Sequence, residues 1–226
     1  MYRIPARIMA YLGIALLAVA GLGFAAYAIG FGARGLALDL SQETYLYTPG
    51  GMPTNLAVFS HMILGGAIMG LVPLQLIGRV RARHPRLHRV TGRVIVAGAM
   101  VTALGGLGYI ASRGTIAGPL MDAGFALYGG LMLVAAVQVL RLARAGAFAR
   151  HREWALRLFV LIIGSLIFRL HYTLWYLLTD GLGSTPALDG PFDQVQYVAF
   201  YLPYLAALEL WLRRSRADVP RRASSG

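Results

Sequence analysis

The chain has 226 residues, of which 58% are hydrophobic and only 13% are charged, and its formal net charge is +12 at pH 7. Because soluble domains carry roughly 25% charged residues, this composition excludes an ordinary globular protein and predicts that lipid surrounds most of the chain. Nucleic acid, the partner that such a net charge would suggest for a soluble protein, is excluded by the clustering of the basic residues between apolar stretches.

Six apolar stretches follow one another, each close to the roughly 20 residues that cross the hydrocarbon core of a bilayer. They are predicted at about Ile8–Phe31, Leu56–Ile77, Val90–Ala111, Leu120–Leu140, Trp154–Leu178 and Val195–Leu212. The fold class is therefore all-α, a polytopic transmembrane helical bundle of about six spans. We expect a single transmembrane helical domain over residues 1–213 and a basic, disordered cytoplasmic tail over residues 214–226.

The orientation follows from the basic residues, all of which are arginine. Eighteen of the 21 lie before the first span, after the last span, or in the loops after the second and fourth spans and the first turn of the spans that follow them. Short cytoplasmic loops carry an excess of basic residues, so the pattern predicts that both termini are cytoplasmic. We expect a multi-pass protein of the bacterial inner membrane. Only Arg34, Arg113 and Arg169 fall toward the outer side.

The residues that could carry chemistry are histidines. The chain has no cysteine, which excludes thiolate metal sites, disulfides and a covalently attached c-type haem. Four of the five histidines lie near the ends of predicted spans, His61 and His171 toward the outer face and His88 and His151 toward the inner face. A six-coordinate b-type haem takes one imidazole on each side of its ring. The sequence thus predicts heme b, one or two per chain, with these four histidines as iron ligands; His84 is left as a loop residue.

Small and basic residues beside the histidines fit the same interpretation. Gly65 follows His61 and Gly92 follows His88 by one helical turn, where a flat porphyrin would lie against the helix. The planar guanidinium of arginine suits the carboxylates of haem propionates. The arginines predicted to make such contacts are Arg89 and Arg152 near the inner histidines and Arg169 near the outer ones.

Helix geometry limits how the fifth span uses its two histidines. His151 and His171 are separated by twenty residues, about 30 Å of helical rise and about 200° around the axis, so they cannot share a face. A single outer haem between His61 and His171 is therefore an alternative to two haems. In an alternative interpretation without a cofactor, the inner histidines only extend toward lipid headgroups from arginine-rich segments.

Several local motifs combine along the chain. They are His61 with Gly65-Gly66 and Pro73-Leu74-Gln75, then Leu87-His88-Arg89 with Gly92-Arg93, and then His151-Arg152-Glu153-Trp154 with Arg157 and Arg169. In this combination the chain resembles the bacterial membrane proteins called domain of unknown function 2306, from about His61 to the last span. The resemblance implies a multi-span membrane protein and no established activity. A looser likeness, to diheme cytochromes of the b561 type, concerns chemistry alone. Those cytochromes place one histidine on each of four consecutive helices, whereas this chain has none on its fourth span and two on its fifth.

The leading interpretation is a membrane-embedded b-type haem protein that carries electrons across or within the bilayer, with a quinone near the arginine-rich face as an exchange partner. The sequence has no nucleotide motif and no soluble reductase domain, so electrons would come from quinol or a redox partner protein. The alternative is a non-haem integral membrane protein, a small transporter or an assembly factor, with His61, Arg169 and His171 as a polar site in the membrane. A copper or zinc site made of histidines needs further ligands that the sequence does not place.

Overall fold

The computed structural model of the chain describes residues 6–223 and is helical throughout its regular part. The helices are α1 (Ala6–Ala37), α2 (Met52–Leu76), α3 (Gly78–Arg83), α4 (Pro85–Arg113), α5 (Pro119–Arg144), α6 (Phe148–Thr179), α7 (Pro191–Ala199) and α8 (Leu202–Ala223). No strand occurs within the described part of the chain. Arg3, which contributes to the predicted orientation, lies outside the described residues.

Six segments are long and apolar enough to cross a membrane, which confirms the predicted class and number of spans. They are α1, α2, α4, α5, α6 and the pair α7 and α8 taken together. The last segment is interrupted at Phe200 and Tyr201, directly before Leu202 and Pro203. Pro203 lacks the backbone N–H that would bond to the carbonyl of Ala199 in a continuous helix, and its ring would clash with that carbonyl, so the helix breaks after Ala199. The cytoplasmic location of the termini stays a prediction.

The chain divides after Ile116 into two compact units. The prediction of one transmembrane domain over residues 1–213 stays a prediction. We expected the tail to be disordered. Helix α8 continues to Ala223, so the described part of the tail is helical. Residues 224–226 of that tail lie outside the described residues.

The first unit is built on α2, which packs against α1 on one side and α4 on the other. One hydrophobic cluster of its core consists of Leu40, Val58, Phe59, Met62 and Tyr109. Lipid gives no hydrophobic drive for helix association, so close packing depends on small residues that let backbones approach. A Cβ added at Gly66 would lie 3.0 Å from the carbonyl oxygen of Ala25, and one at Gly98 would lie 2.4 Å from the Ile68 side chain.

Gly35 and Gly30 of α1 offer a matched pair of substitutions that tests this packing. A Cβ at Gly35 would lie 2.2 Å from ring carbons of the fully buried Phe59, whereas a Cβ at Gly30 meets nothing within 4 Å. We expect Gly35→Ala to lower the free energy of unfolding by about 2 kcal/mol, because the α1–α2 contact must open. Gly30→Ala should be neutral or slightly stabilising, since alanine is the better helix former. Thermal unfolding of both variants in micelles measures the difference; equal midpoints would contradict the close contact.

The second unit contains α5 to α8, with α5 packed against α6 and α7, and α8 against α6. Aromatic side chains fill its centre, where Phe200 and Tyr201 are 1% and 0% exposed. The Tyr201 hydroxyl donates to the carbonyl of Gly124 at 3.0 Å, so this buried polar atom is satisfied. The ring of Phe200 meets those of Phe125 and Tyr128 with centroids 5.3 and 4.9 Å apart.

An ion pair ties α6 to α8 within the same unit. Arg157 donates two hydrogen bonds to Glu209, at 2.5 and 2.9 Å, in the forked geometry that guanidinium and carboxylate favour. The Arg157 guanidinium also lies 4.7 Å from the ring centroid of Trp154. Charged side chains in a span are costly unless they are paired, so these contacts explain how α6 and α8 tolerate them.

Candidate functional site

His61 projects from α2 onto the surface of α4. Its Nδ1 lies 2.7 Å from the main-chain oxygen of Thr102. The ring can approach so closely because two glycines follow on that face: a Cβ at Gly106 would lie 3.2 Å from ring atoms of His61, and one at Gly105 would lie 3.0 Å from the oxygen of Ala57. A carbonyl oxygen only accepts hydrogen bonds, so in the neutral ring Nδ1 carries the proton and Nε2 the lone pair.

His151 shows the same arrangement in the second unit. It lies in the first turn of α6, half-buried, and its Nδ1 is 3.0 Å from the main-chain oxygen of Val139 in α5. The acceptor is again a carbonyl, so the neutral ring is protonated at Nδ1 and its Nε2 is the nitrogen with a lone pair. Metal-bound histidines are commonly oriented by such a contact to a main-chain carbonyl.

His171 has partners at both ring nitrogens. Its Nδ1 lies 2.9 Å from Oε1 of Gln196 in α7, and its Nε2 lies 2.8 Å from the hydroxyl of Tyr204 in α8. Because the amide oxygen accepts, Nδ1 donates and Nε2 accepts from the tyrosine hydroxyl. His171 therefore has the same protonation pattern as His61 and His151, but a hydroxyl group already occupies its lone pair. A metal ion at Nε2 would have to displace Tyr204.

His88 lies in the first turn of α4, where the end of α2 reaches it through a glutamine. The side-chain amide of Gln75 donates to the hydroxyl of Thr91 and, at 3.4 Å, to the main-chain oxygen of His88. The Thr91 hydroxyl in turn donates to the carbonyl of Leu87 at 2.8 Å. These contacts fix the first turn of α4, and with it the backbone of His88, against the C-terminal end of α2.

The two glycines predicted to lie beside a haem differ from those that pack helices. A Cβ at Gly65 would meet only Cγ2 of Thr102, at 3.7 Å, and one at Gly92 only Oε1 of Gln75, also at 3.7 Å. Both are ordinary van der Waals distances. Helix packing within the described residues therefore does not require glycine at either position, although glycine costs about 1 kcal/mol relative to alanine in a helix.

The three predicted propionate arginines have different surroundings. Arg89 and Arg152 are exposed near the starts of α4 and α6. Arg169 is half-buried in α6, and its Nη1 donates to the carbonyl of Ser165 one turn earlier, at 3.0 Å. All three stay predictions as cofactor contacts.

Each unit holds one histidine of the predicted outer pair and one of the predicted inner pair. His61 contacts α4 at Thr102, fourteen residues beyond His88, which is about 21 Å of helical rise. Two histidines of the same unit therefore cannot bind one iron atom. Among the described residues no three His, Asp or Glu side chains come together as a metal group, and a bis-histidine haem needs only two.

The loop between α6 and α7 folds around the buried carboxylate of Asp193. Its Oδ1 accepts hydrogen bonds from the hydroxyls of Tyr172 and Ser184, at 2.7 and 2.8 Å. Its Oδ2 accepts from the backbone N–H groups of Thr185 and Gly190, at 2.9 and 3.0 Å. Asp193 is 0% exposed, so these four donors replace its hydration. The loop, which its composition predicts to be irregular, is thus held in one conformation next to the His171 end of α6.

Comparison with known proteins assigns the chain to a family. Residues 58–189, more than half of the chain, match the model of a family described as "Predicted membrane protein (DUF2306)". The chain belongs to this family. No match was found among the curated proteins or among the solved structures. The DUF2306 match ends at residue 189, before α7, whereas the sequence motifs predict a resemblance that extends to the last span.

The DUF2306 region contains all four predicted ligands and the three predicted arginines, but it excludes the residues that hold His171. Gln196 and Tyr204 lie in α7 and α8, beyond residue 189. Sequence analysis missed both. Gln196 carries a detectable signal, since an amide side chain inside an apolar span is costly and usually has a partner. Tyr204 carries none, because tyrosines are ordinary at membrane interfaces.

Proposed function

We propose that this DUF2306 protein is an electron carrier of the bacterial inner membrane that holds heme b, one or two per chain, through histidine Nε2 atoms. One observation supports the proposal above the others. Three of the four candidate ligands, His61, His151 and His171, donate Nδ1–H to an oxygen atom, which leaves Nε2 as the basic nitrogen. Such a contact fixes the ring and raises its basicity as a ligand.

The bound haem would supply reversible one-electron chemistry at its iron. The chain itself would contribute orientation and charge. His61 and His151 are held by main-chain carbonyls, and the exposed Arg89 and Arg152 are available to propionate carboxylates at the inner end. A quinone near this arginine-rich face, or a redox partner protein, would exchange electrons with the carrier.

A second candidate function is a non-haem role, in which a small transporter or assembly factor uses a polar site in the membrane. Tyr204 favours it, because its hydroxyl already satisfies Nε2 of His171. Arg169 and Gln196 extend this polar cluster within the second unit. Polar groups inside spans mark substrate pathways as well as cofactor sites.

A pyridine haemochrome spectrum of the purified protein, after expression with haem supplied, separates the two candidates. The haem proposal expects one or two equivalents of b-type haem per chain. About one equivalent of haem per chain favours a single outer haem, and about two equivalents favour a second haem at the inner histidines. Haem far below one equivalent would leave only the non-haem function.

A further inference from the structure

A strongly basic surface lies where α2 passes into α4, and the electron-transfer proposal makes no use of most of it. The connection consists of the short α3 and the first turns of α4. Helix α3 buries none of its residues. We call this surface the arginine elbow; its six arginines, all exposed, are Arg79, Arg81, Arg83, Arg86, Arg89 and Arg93.

Among the described side chains, no carboxylate forms an ion pair with the arginine elbow. No acidic residue occurs between residues 44 and 121 of the sequence. Ion pairs among the described side chains include Arg34–Glu43, Arg157–Glu209 and Arg216–Glu153, all outside the elbow. In the second unit, by contrast, Glu153 and Glu209 each pair with an arginine.

The elbow also lies where a lipid headgroup would be. Helices α2 and α4 are consecutive membrane spans, so the segment that joins them must lie at a membrane surface. A shallow cleft in the elbow is lined by Arg83, His84, Pro85, Arg86 and Leu87, which combines guanidinium groups with apolar side chains. Phosphate matches the planar fork of arginine, and the neighbouring apolar groups suit the glycerol region of a lipid.

We infer that the arginine elbow binds the phosphate headgroups of anionic phospholipids in the surrounding bilayer. The inference is independent of haem. A basic residue near an anionic membrane surface contributes roughly fivefold in affinity. Several uncompensated arginines in one short segment should therefore select anionic over zwitterionic lipid, and should anchor the α2–α4 connection to one leaflet.

Native mass spectrometry of the purified protein with phosphatidylglycerol and phosphatidylcholine tests the inference through the ratio of the two lipids retained. The elbow variant replaces Arg79, Arg81, Arg83 and Arg86 by glutamine and leaves Arg89 in place. A matched control replaces the same four arginines by lysine, which alters the side chains but keeps the positive charge. We expect the elbow variant to lose at least about tenfold of the preference for phosphatidylglycerol, and the control to stay within about twofold of the parent protein.

Three outcomes would overturn the inference. They are an unchanged lipid preference in the elbow variant, an equal loss in the matched control, and displacement of the bound lipid by inorganic phosphate. The last outcome would assign the elbow to a soluble anion. If the fourfold variant is not monodisperse, its two halves, Arg79→Gln with Arg81→Gln and Arg83→Gln with Arg86→Gln, are each expected to lose part of the preference, and retention by both would contradict the inference equally.

Discussion

Replacing His61 by alanine is expected to lower the haem content of the purified protein from two per chain to one, or from one to none. The physical reason is the loss of an iron ligand whose Nδ1–H is already held by the carbonyl of Thr102. His171→Ala should have the same effect, because the two histidines are the predicted ligands of the outer haem. The pyridine haemochrome spectrum, normalised to protein concentration, measures both.

The matched control is His84→Ala, which removes an exposed imidazole of the α3–α4 turn and should leave the haem content unchanged. Full haem content in both His61→Ala and His171→Ala would show that the outer pair was wrongly chosen. Tyr204→Phe adds a sharper test, since it removes the hydroxyl that donates to Nε2 of His171. Under the haem proposal we expect this variant to keep the haem content of the parent protein. Under the non-haem proposal neither protein contains haem, and the substitution removes a hydrogen bond from the polar site.

Asp193→Asn is expected to lower the free energy of unfolding by about 3 kcal/mol and to open the outer loop to protease. The asparagine side chain keeps one oxygen for the hydroxyls of Tyr172 and Ser184. Its amide nitrogen, however, faces the N–H groups of Thr185 and Gly190, which are left without an acceptor. Each buried donor that loses its partner costs roughly 1–3 kcal/mol. Thermal unfolding in micelles and the rate of cleavage within residues 181–190 measure the two effects.

Asp189→Asn serves as the control in the same loop. Asp189 is exposed, and its carboxylate accepts from the hydroxyl of Thr185 at 2.5 Å, a contact that water can replace. We expect its effect on the unfolding free energy to stay below about 0.5 kcal/mol. Similar losses of stability in the two variants would mean that the loop is sensitive to any change of charge, and that the burial of Asp193 has no special role.

The spans could be predicted because their signal is local. A stretch of about 20 apolar residues has no other stable environment than lipid, and each span carries that information within itself. The interruption of the last span was not predicted, although its cause is also local, since Pro203 removes the helical hydrogen bond to Ala199. The short helix α3 was not predicted, because three of its six residues are arginine and none of the six is buried, so no hydrophobic pattern marks it.

The surroundings of the candidate ligands could not be predicted, because their partners are distant in sequence. Gln196 and Tyr204 meet His171 across 25 and 33 residues, over an irregular loop whose path no periodicity encodes. Asp193 appears in the sequence as one of several acids of a polar outer loop. Its complete burial depends on four donors, three of them from residues 172 to 185, that converge only after the loop has folded back.

The sequence by itself determined the helical class and the number of spans. It also identified the polar residues whose placement in lipid costs enough free energy to require a partner or a function, among them His61, Arg169 and His171. Hydropathy and charge are properties of each local segment, so they can be predicted from the sequence alone. Only the tertiary structure decided which oxygen each imidazole meets, and hence which ring nitrogen keeps its lone pair. That outcome depends on the contact of His61 with Thr102 and of His151 with Val139, because a hydrogen bond is made between two particular atoms and not between two patterns.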